Sequence, residues 1–365
     1  MKLTLKIKLL PSKEQADLLL RTIKEANAVC NTISEIAWEK KVFNQFKIHS
    51  EVYHTLKGST NLSAQVLVRC ISKVADAYKL DKKVKRTFKP LGSITYDSRI
   101  LSYKGEAVSI WSVGGRLKMP FVCHNQNYLP YIKGEADLLF RKGKFYLFQT
   151  VDVVEDDVKD VETFLGVDFG LTDIAVTSDG TKHSAEWLNQ YREKRQKVRG
   201  SIQSKGTRNS RKLLKRLSGK ERTTATIINH TIAKSIVKSA KEQGKGISIE
   251  DLTNIRFTSK RRNKKFRTKL GRWSFGQLRS FLTYKAALNG VKLVAVEPRY
   301  TSRTCHSCKH IGERKNKVFK CINHKCEVDV IDADYNASLN IATLGAVVNQ
   351  PEKQGMYSCS VHSYV

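Results

Sequence analysis

The chain has 365 residues, 40% of them hydrophobic, and 66 Lys and Arg against 34 Asp and Glu leave a formal charge of +32. That length and apolar content allow two or three domains with cores of their own. A surface so basic repels itself unless a polyanion neutralises it, which sets nucleic acid ahead of a ribosome-surface or membrane-surface role.

The start, MKLTLKIKLLPSKEQ, alternates well enough for a strand with Leu3, Leu5 and Ile7 on one face. Its lysines and Pro11 are wrong for a secretory leader, and no apolar run reaches about 18 residues. A cytoplasmic protein with no membrane partner is expected. Ser12 and Glu14 open a helix with apolar residues at Leu18, Leu19, Ile23 and Ala26. Helical patterns continue over 29–79, broken at the turn-rich HTLKGSTN. From 88 to 153 short β-rich runs such as SITYDSRI and RLKMPFV alternate with Gly-containing turns, as in a small β-barrel with the helical block inserted after its first strand. EDDVKDVE, at 155–162, reads as a linker.

Beyond it, FLGVDFG and DIAVTS with a short third strand predict an antiparallel meander. A long helical region from 187 to 243, the strand GISIEDL, a helix around RWSFGQL and the strand VKLVAVEP follow. DADYNASLNIATLG closes as a helix. Three meander strands followed by alternating strand and helix is the order of an RNase H-like fold. The expected class is therefore multidomain α+β with an RNase H-like α/β nuclease domain.

Cys305, Cys308, Cys321 and Cys326 read C-x2-C-x12-C-x4-C, whereas Cys30, Cys70, Cys123 and Cys359 are scattered. Each pair turns back on itself, so four thiolates can surround one ion; a closed S4 set suits structural Zn2+. The alternative, two reducible disulfides, conflicts with a cytosolic chain.

Asp168, in LGVDFGLTDIAV, has three competing readings. The kinase tripeptide D-F-G lacks its glycine-rich loop and H-R-D loop here. The D-x-G-x-T phosphate loop of actin-like and sugar-kinase ATPases lacks its second copy. A metal-dependent phosphodiesterase needs partner carboxylates on hard divalent cations such as Mg2+, with two ions expected. At the three positions where an RNase H-like fold gathers them stand Asp168, Glu250 in ISIED and Asp334 in DADYNAS. Singly, Glu250 reads as a strand-end acid, and Asp332 or Asp334 as a helix N-cap; together they read as one site.

The basic runs agree with this. Residues 192–222 carry thirteen Lys or Arg against two Glu, and 256–272 carry nine against none. Beside such a site they track backbone phosphates, with Lys205, Arg208, Arg211 and Lys212 as expected contacts. Tyr191, Phe257, Phe266 and Trp273 are candidates to stack on bases, with core packing the alternative for Trp273. On LSAQVLVRCISKVADAYK, Gln65, Arg69 and Lys73 share one face opposite the apolar stripe Leu67, Ile71, Val74 and Tyr78. An exposed face of Gln and Arg suits base edges in a groove, and a merely solvated face is the alternative. Tyr53 is a further expected nucleic-acid contact.

With the acids and cysteines in place, the sequence resembles the TnpB family of RNA-guided DNA nucleases of insertion sequences, related to type V CRISPR effectors. KIKLLPSKEQ, GGRLKMPF, INHTIAKSIV, IEDLTNI, YTSRTCHSC and DADYNASLNIA carry the resemblance together with GVDFGLTDIAV. It implies a wedge β-barrel at 1–20 and 88–155, a helical recognition domain at 21–87, a RuvC-like nuclease at 163–302 and 331–350, a zinc ribbon at 303–330 and a tail at 351–365. It further implies Asp168, Glu250 and Asp334 as catalytic Mg2+ ligands, a guide RNA from the transposon end, and a double-stranded DNA target recognised beside a short motif. A DNA-binding regulator without cleavage and a strand-transfer transposase are the alternatives. Two departures stand out: Lys309 follows Cys308 where relatives often have Gly, and the last acidic motif reads D-A-D rather than D-R-D.

Overall fold

The computed structural model describes residues 1–252 and 275–349; the basic run 256–272 with Phe257 and Phe266, as well as Trp273, Cys359 and the tail 351–365, lie outside the described residues. The chain divides into two compact units, Met1–Val154 and the part from Glu155 onward.

In the first unit, β1 (Lys2–Leu9) leads into three helices, α1 (Lys13–Glu39), α2 (Gln45–Ser59) and α3 (Ala64–Leu80). Ser12 forms a capping box with Gln15 at the start of α1, and Asn44 and Ser63 cap α2 and α3. Six further strands follow: β2 (Ile94–Tyr96), β3 (Leu101–Lys104), β4 (Ala107–Ser112), β5 (Gly115–Cys123), β6 (Ile132–Arg141) and β7 (Lys144–Asp152). They pair with β1 in the order β2-β6-β7-β1-β5-β4-β3, every pair antiparallel. The helices are inserted after β1, as the pattern predicts. Among the described pairings, however, β2 and β3 remain edges, so the expected closed barrel is an open sheet.

The second unit opens with β8 (Phe164–Asp168), β9 (Asp173–Thr177) and β10 (Lys182–Ser184), followed by α4 (Glu186–Ser204), α5 (Arg208–Leu217) and α6 (Lys220–Glu242). The single long helical region expected from sequence is thus three helices. Gly219, with φ +85°, turns the chain between α5 and α6 in a conformation that side chains with a Cβ resist. Next come β11 (Gly246–Glu250), α7 (Phe275–Leu288), β12 (Leu293–Val296), the short strands β13 (Glu313–Lys315), β14 (Val318–Lys320) and β15 (Val330–Asp332), and α8 (Ala333–Val348).

The main sheet runs β10-β9-β8-β11-β12, with β8, β9 and β10 antiparallel and β8, β11 and β12 parallel. Alternation along the strands divides its two faces. Leu165, Val167, Ile247 and Ile249 enter one core with Ile236 and Val237 of α6 and Leu278 and Leu282 of α7. Gly166 and Ser248 face the other way, against α8. A Cβ on Gly166 would stand 1.9 Å from the Ser338 carbonyl, and one on Gly345 would stand 2.6 Å from the Ser248 Cβ. The helix therefore lies unusually close to the strands, which brings its first turn to the ends of β8 and β11.

Candidate active site and metal centre

Asp168 and Glu250 are the last residues of β8 and β11 and fall on the strand face that α8 covers, two positions beyond Gly166 and Ser248. Asp332 caps α8, its carboxylate accepting from the Asp334 and Tyr335 amides, both at 3.0 Å. Asp334 is therefore not the cap; it points from the first turn toward the strand ends. Glu250 and Asp334 are buried and Asp168 is half-buried.

Removal from water, followed by the carboxylates of Glu250 and Asp334, pushes Asp168 well above the usual carboxylate range; Arg314 offsets this only in part. Burial also raises Glu250, against a 2.6 Å hydrogen bond donated by the Thr301 hydroxyl and the charge of Arg314. Asp334 is raised by burial and drawn down by Arg314 and Lys317. The three acids thus come to one edge of the sheet, where Glu250 and Asp334 oppose the charge of Asp168.

Four residues of this site escape a reading by motif: Asp173, Thr301, Arg314 and Lys317. Arg314 of β13 donates to Asp334 at 2.9 Å, and Lys317, in the turn before β14, pairs with Asp173 and stands 3.9 Å from Asp334. The hairpin that carries both cations belongs to the cysteine module. That module is tied to α8 as well: Asn336 and Asn340 donate to the Thr304 carbonyl at 2.8 and 2.7 Å, and the His306 amide donates to Asn336 at 2.9 Å. The signal in the sequence was the i, i+4 pair of asparagines in DADYNASLN beside YTSRTC.

The four cysteines meet as their spacing predicts. Their sulfurs all lie within 4.8 Å of one another, and among the described residues they are the one group of three or more such side chains so tightly gathered. The Cys305–Cys326 and Cys308–Cys321 sulfurs are 3.8 and 3.6 Å apart. A disulfide is about 2.05 Å long, whereas an S4 tetrahedron with about 2.3 Å metal–sulfur bonds has edges of about 3.8 Å. The cluster can hold a metal ion. A hydrogen bond from the His310 backbone lowers the Cys308 thiol to about 5, whereas Cys321, though drawn down by the Asn323 backbone, is pushed up to about 12 by burial and the neighbouring sulfurs. Cys30, Cys70 and Cys123 are buried outside this cluster, with the Cys30 thiol donating to the Cys70 carbonyl at 3.9 Å.

The remaining expected contacts divide. Lys205, Arg208, Arg211 and Lys212 are all exposed at the end of α4 and along α5. Tyr53 is half-buried and stacked on His49 at 4.4 Å. Gln65, Arg69 and Lys73 share a face, but not the open one expected. Gln65 bonds Asp97, Arg69 pairs with Glu135, and Lys73 donates to Asn27 and to the Ser93 carbonyl at 2.8 and 2.6 Å. All three are half-buried and held to their own unit by these partners, of which only Asn27 is buried and Glu135 is exposed.

A family model described as Cas12f1-like, TNB domain, matches residues 275–341. A TnpB-like protein of Methanocaldococcus jannaschii is 32% identical over 41% of this chain and 53% of its own length. The CRISPR-associated endodeoxyribonuclease Cas12f2 of a Micrarchaeota archaeon is 32% identical over 55% and 40%, and Cas12f1 of Sulfoacidibacillus thermotolerans 31% over 55% and 50%. The chain spans about half the length of the curated relatives it matches. Among solved structures, a Cas12f1–sgRNA–target DNA complex superposes with a TM-score of 0.57 at 16% identity, covering 91% of this chain and 83% of that one. The mini-RNA-guided endonuclease CRISPR-Cas_phi3 superposes with 0.60 at 12%, covering 96% and 93%. These two likenesses speak for a shared mixed α/β multidomain fold. By sequence, the chain is similar to TnpB-like and Cas12f proteins, the family its motifs resemble.

Proposed function

We propose that the chain is an RNA-guided DNA endonuclease that binds a transposon-derived guide RNA, recognises a short motif beside its target, and hydrolyses DNA at Asp168, Glu250 and Asp334. One observation carries the reading: the ends of β8 and β11 and the first turn of α8 bring these three acids to one edge, where Glu250 and Asp334 oppose the charge of Asp168. The strand order supports a RuvC-like nuclease at 163–302 and 331–350 with a zinc ribbon at 303–330. The wedge at 1–20 and 88–155 and the recognition helices at 21–87 belong to the same reading.

The oxygen donors fit Mg2+, and the four thiolates fit Zn2+. Bound at the acids, divalent cations supply an activated water and stabilise the leaving oxygen. The chain's own residues orient that site. Thr301 holds the Glu250 carboxylate through its hydroxyl, and the Asp332 cap fixes the turn that presents Asp334. Arg314 and Lys317 bring positive charge to the same edge, where a phosphate's charge is met.

The chain purified with its RNA and supplied with the matching duplex tests this. Asp168→Ala, Glu250→Ala and Asp334→Ala should each abolish cutting while RNA per chain stays unchanged. Cutting that survives Asp168→Ala sinks the mechanism. Target occupancy without cut ends in the unaltered chain points instead to a binding regulator, and joined ends to a strand-transfer transposase.

A further inference from the structure

Helix α4 presents a strip that the nuclease reading leaves unused. Trp187 and Tyr191, one turn apart, lie ring on ring with centroids 5.5 Å apart and planes 7° from parallel. Arg195, a further turn along, sets its guanidinium 6.0 Å from the Tyr191 ring and donates to the Leu217 carbonyl at 3.0 Å. The outermost ring, Trp187, is 61% exposed. Large aromatic surface facing water costs solvation free energy, and it is found where a partner covers it. Stacking within the helix satisfies one face of the Tyr191 ring and leaves the outer face of Trp187 open.

Position and charge select the partner. The Ala185 amide donates to the Thr172 carbonyl at 2.9 Å, and Asn189 donates to the Leu171 carbonyl at 3.3 Å. These bonds fasten the first turn of α4 to the loop that leaves Asp168, so the strip begins at the edge of the carboxylate site. Beside it, α5 carries Arg208, Arg211, Lys212, Lys215 and Arg216, all exposed, and no acid. On α4 the acids are Glu186, turned to Gln190 at 3.2 Å, and Glu193, off the strip by helical spacing. Exposed aromatic faces bordered by cations suit a polyanion whose bases are unpaired, because each base has a face to stack and each phosphate a charge to meet.

We propose that the Trp187–Tyr191–Arg195 strip is a stacking platform for single-stranded DNA, guiding an unpaired strand to the carboxylates. The proposal rests on the nuclease reading for its choice of DNA, and its test is independent of cutting. The RNA-bound complex of the Asp168→Ala chain is titrated, without added Mg2+, with three labelled probes: a thymidine 12-mer, an abasic backbone of equal length, and a hairpin duplex.

The 12-mer should bind tighter than the abasic backbone. Trp187→Ala and Tyr191→Ala should each weaken it by about 5- to 100-fold, and Trp187→Phe should restore most of the loss. Abasic binding should be indifferent to these changes. Equal affinity for 12-mer and abasic backbone, or an unchanged affinity in Trp187→Ala, overturns the platform. So does a loss of copurified RNA in Trp187→Ala, which would assign the strip to the guide. A concentration-dependent dimer that Trp187→Ala dissolves assigns it to a second copy and likewise overturns the proposal. If the unaltered chain fails to cut its target while base-dependent binding persists, the nuclease reading fails and the platform stands.

Discussion

The surroundings of Asp168 oppose its own charge. Removal from water, Glu250 and Asp334 all raise its pKa, and Glu250 and Asp334 are themselves raised by burial. A raised acid binds its proton more tightly in the folded state than in the unfolded one. Its stabilising contribution is therefore present at low pH and lost as pH rises from the ordinary carboxylate range of about 4 through the folded value. In buffer without added Mg2+ at neutral pH, Asp168→Asn should melt higher than the unaltered chain, by about 2–4 °C for each kcal/mol of repulsion relieved. The gap should narrow as the buffer is acidified, and Mg2+ should raise the unaltered chain more than the variant. Calorimetry of the pair checks this; a variant that melts lower at neutral pH without added Mg2+ overturns it. Asp168, Glu250 and Asp334 were each visible as an acid in a strand or helix-start motif. Arg314, Lys317 and Asp173 were not, because a cation in a short β-hairpin has no local pattern that distinguishes an ion pair from solvation.

At the scale of elements, the cysteine module is the part least able to hold itself together by burial. Its strands β13, β14 and β15 are three residues each, and its core is Cys305, Phe319, Cys321 and Ala333 with a few partly buried neighbours. So small a cluster is of the kind that a bound metal stabilises. Purified chain should hold one thiolate-bound metal, and a strong chelator or Cys321→Ser should expose the 303–330 segment to protease while the first unit stays resistant. Limited proteolysis followed by mass spectrometry reads this out; equal protection with and without metal sinks it. Because Arg314 and Lys317 ride on this module, its loss also removes the cations from Asp334 and Asp173. Helix α3 shows how far pattern reading reaches. Leu67, Ile71, Val74 and Tyr78 are all buried, as their spacing requires. The opposite, polar face is also held to its own unit, since Asp97, Glu135 and Asn27 lie far along the chain and only folding brings them to it.

For the whole molecule the charge of +32 is the dominant property. On the proposed reading it makes nucleic-acid affinity a matter of counterion release, with a steep dependence on salt. If about 6–10 phosphates are neutralised, affinity should fall by roughly 10³-fold or more between 50 and 200 mM salt. Anisotropy titrations of the RNA-bound complex across that range measure the slope, and a flat response would remove the basic helices from the interface. Among the described residues no helix is long and apolar enough to cross a membrane. Composition, the cysteine spacing, the alternation of strands and helices and the three acidic motifs were determined by the sequence alone, because each rests on neighbours within a turn or a strand. Only the tertiary structure decided that α8 presses against Gly166 and Ser248, that Asp334 thereby reaches Asp168 and Glu250, and that Arg314, Lys317 and Thr301 complete their surroundings. It also opened the expected barrel into a sheet and held Gln65, Arg69 and Lys73 to their own unit. The physical reason is the same in each case: the partners that decide burial and charge are distant in the chain, and close packing alone brings them within a few ångströms.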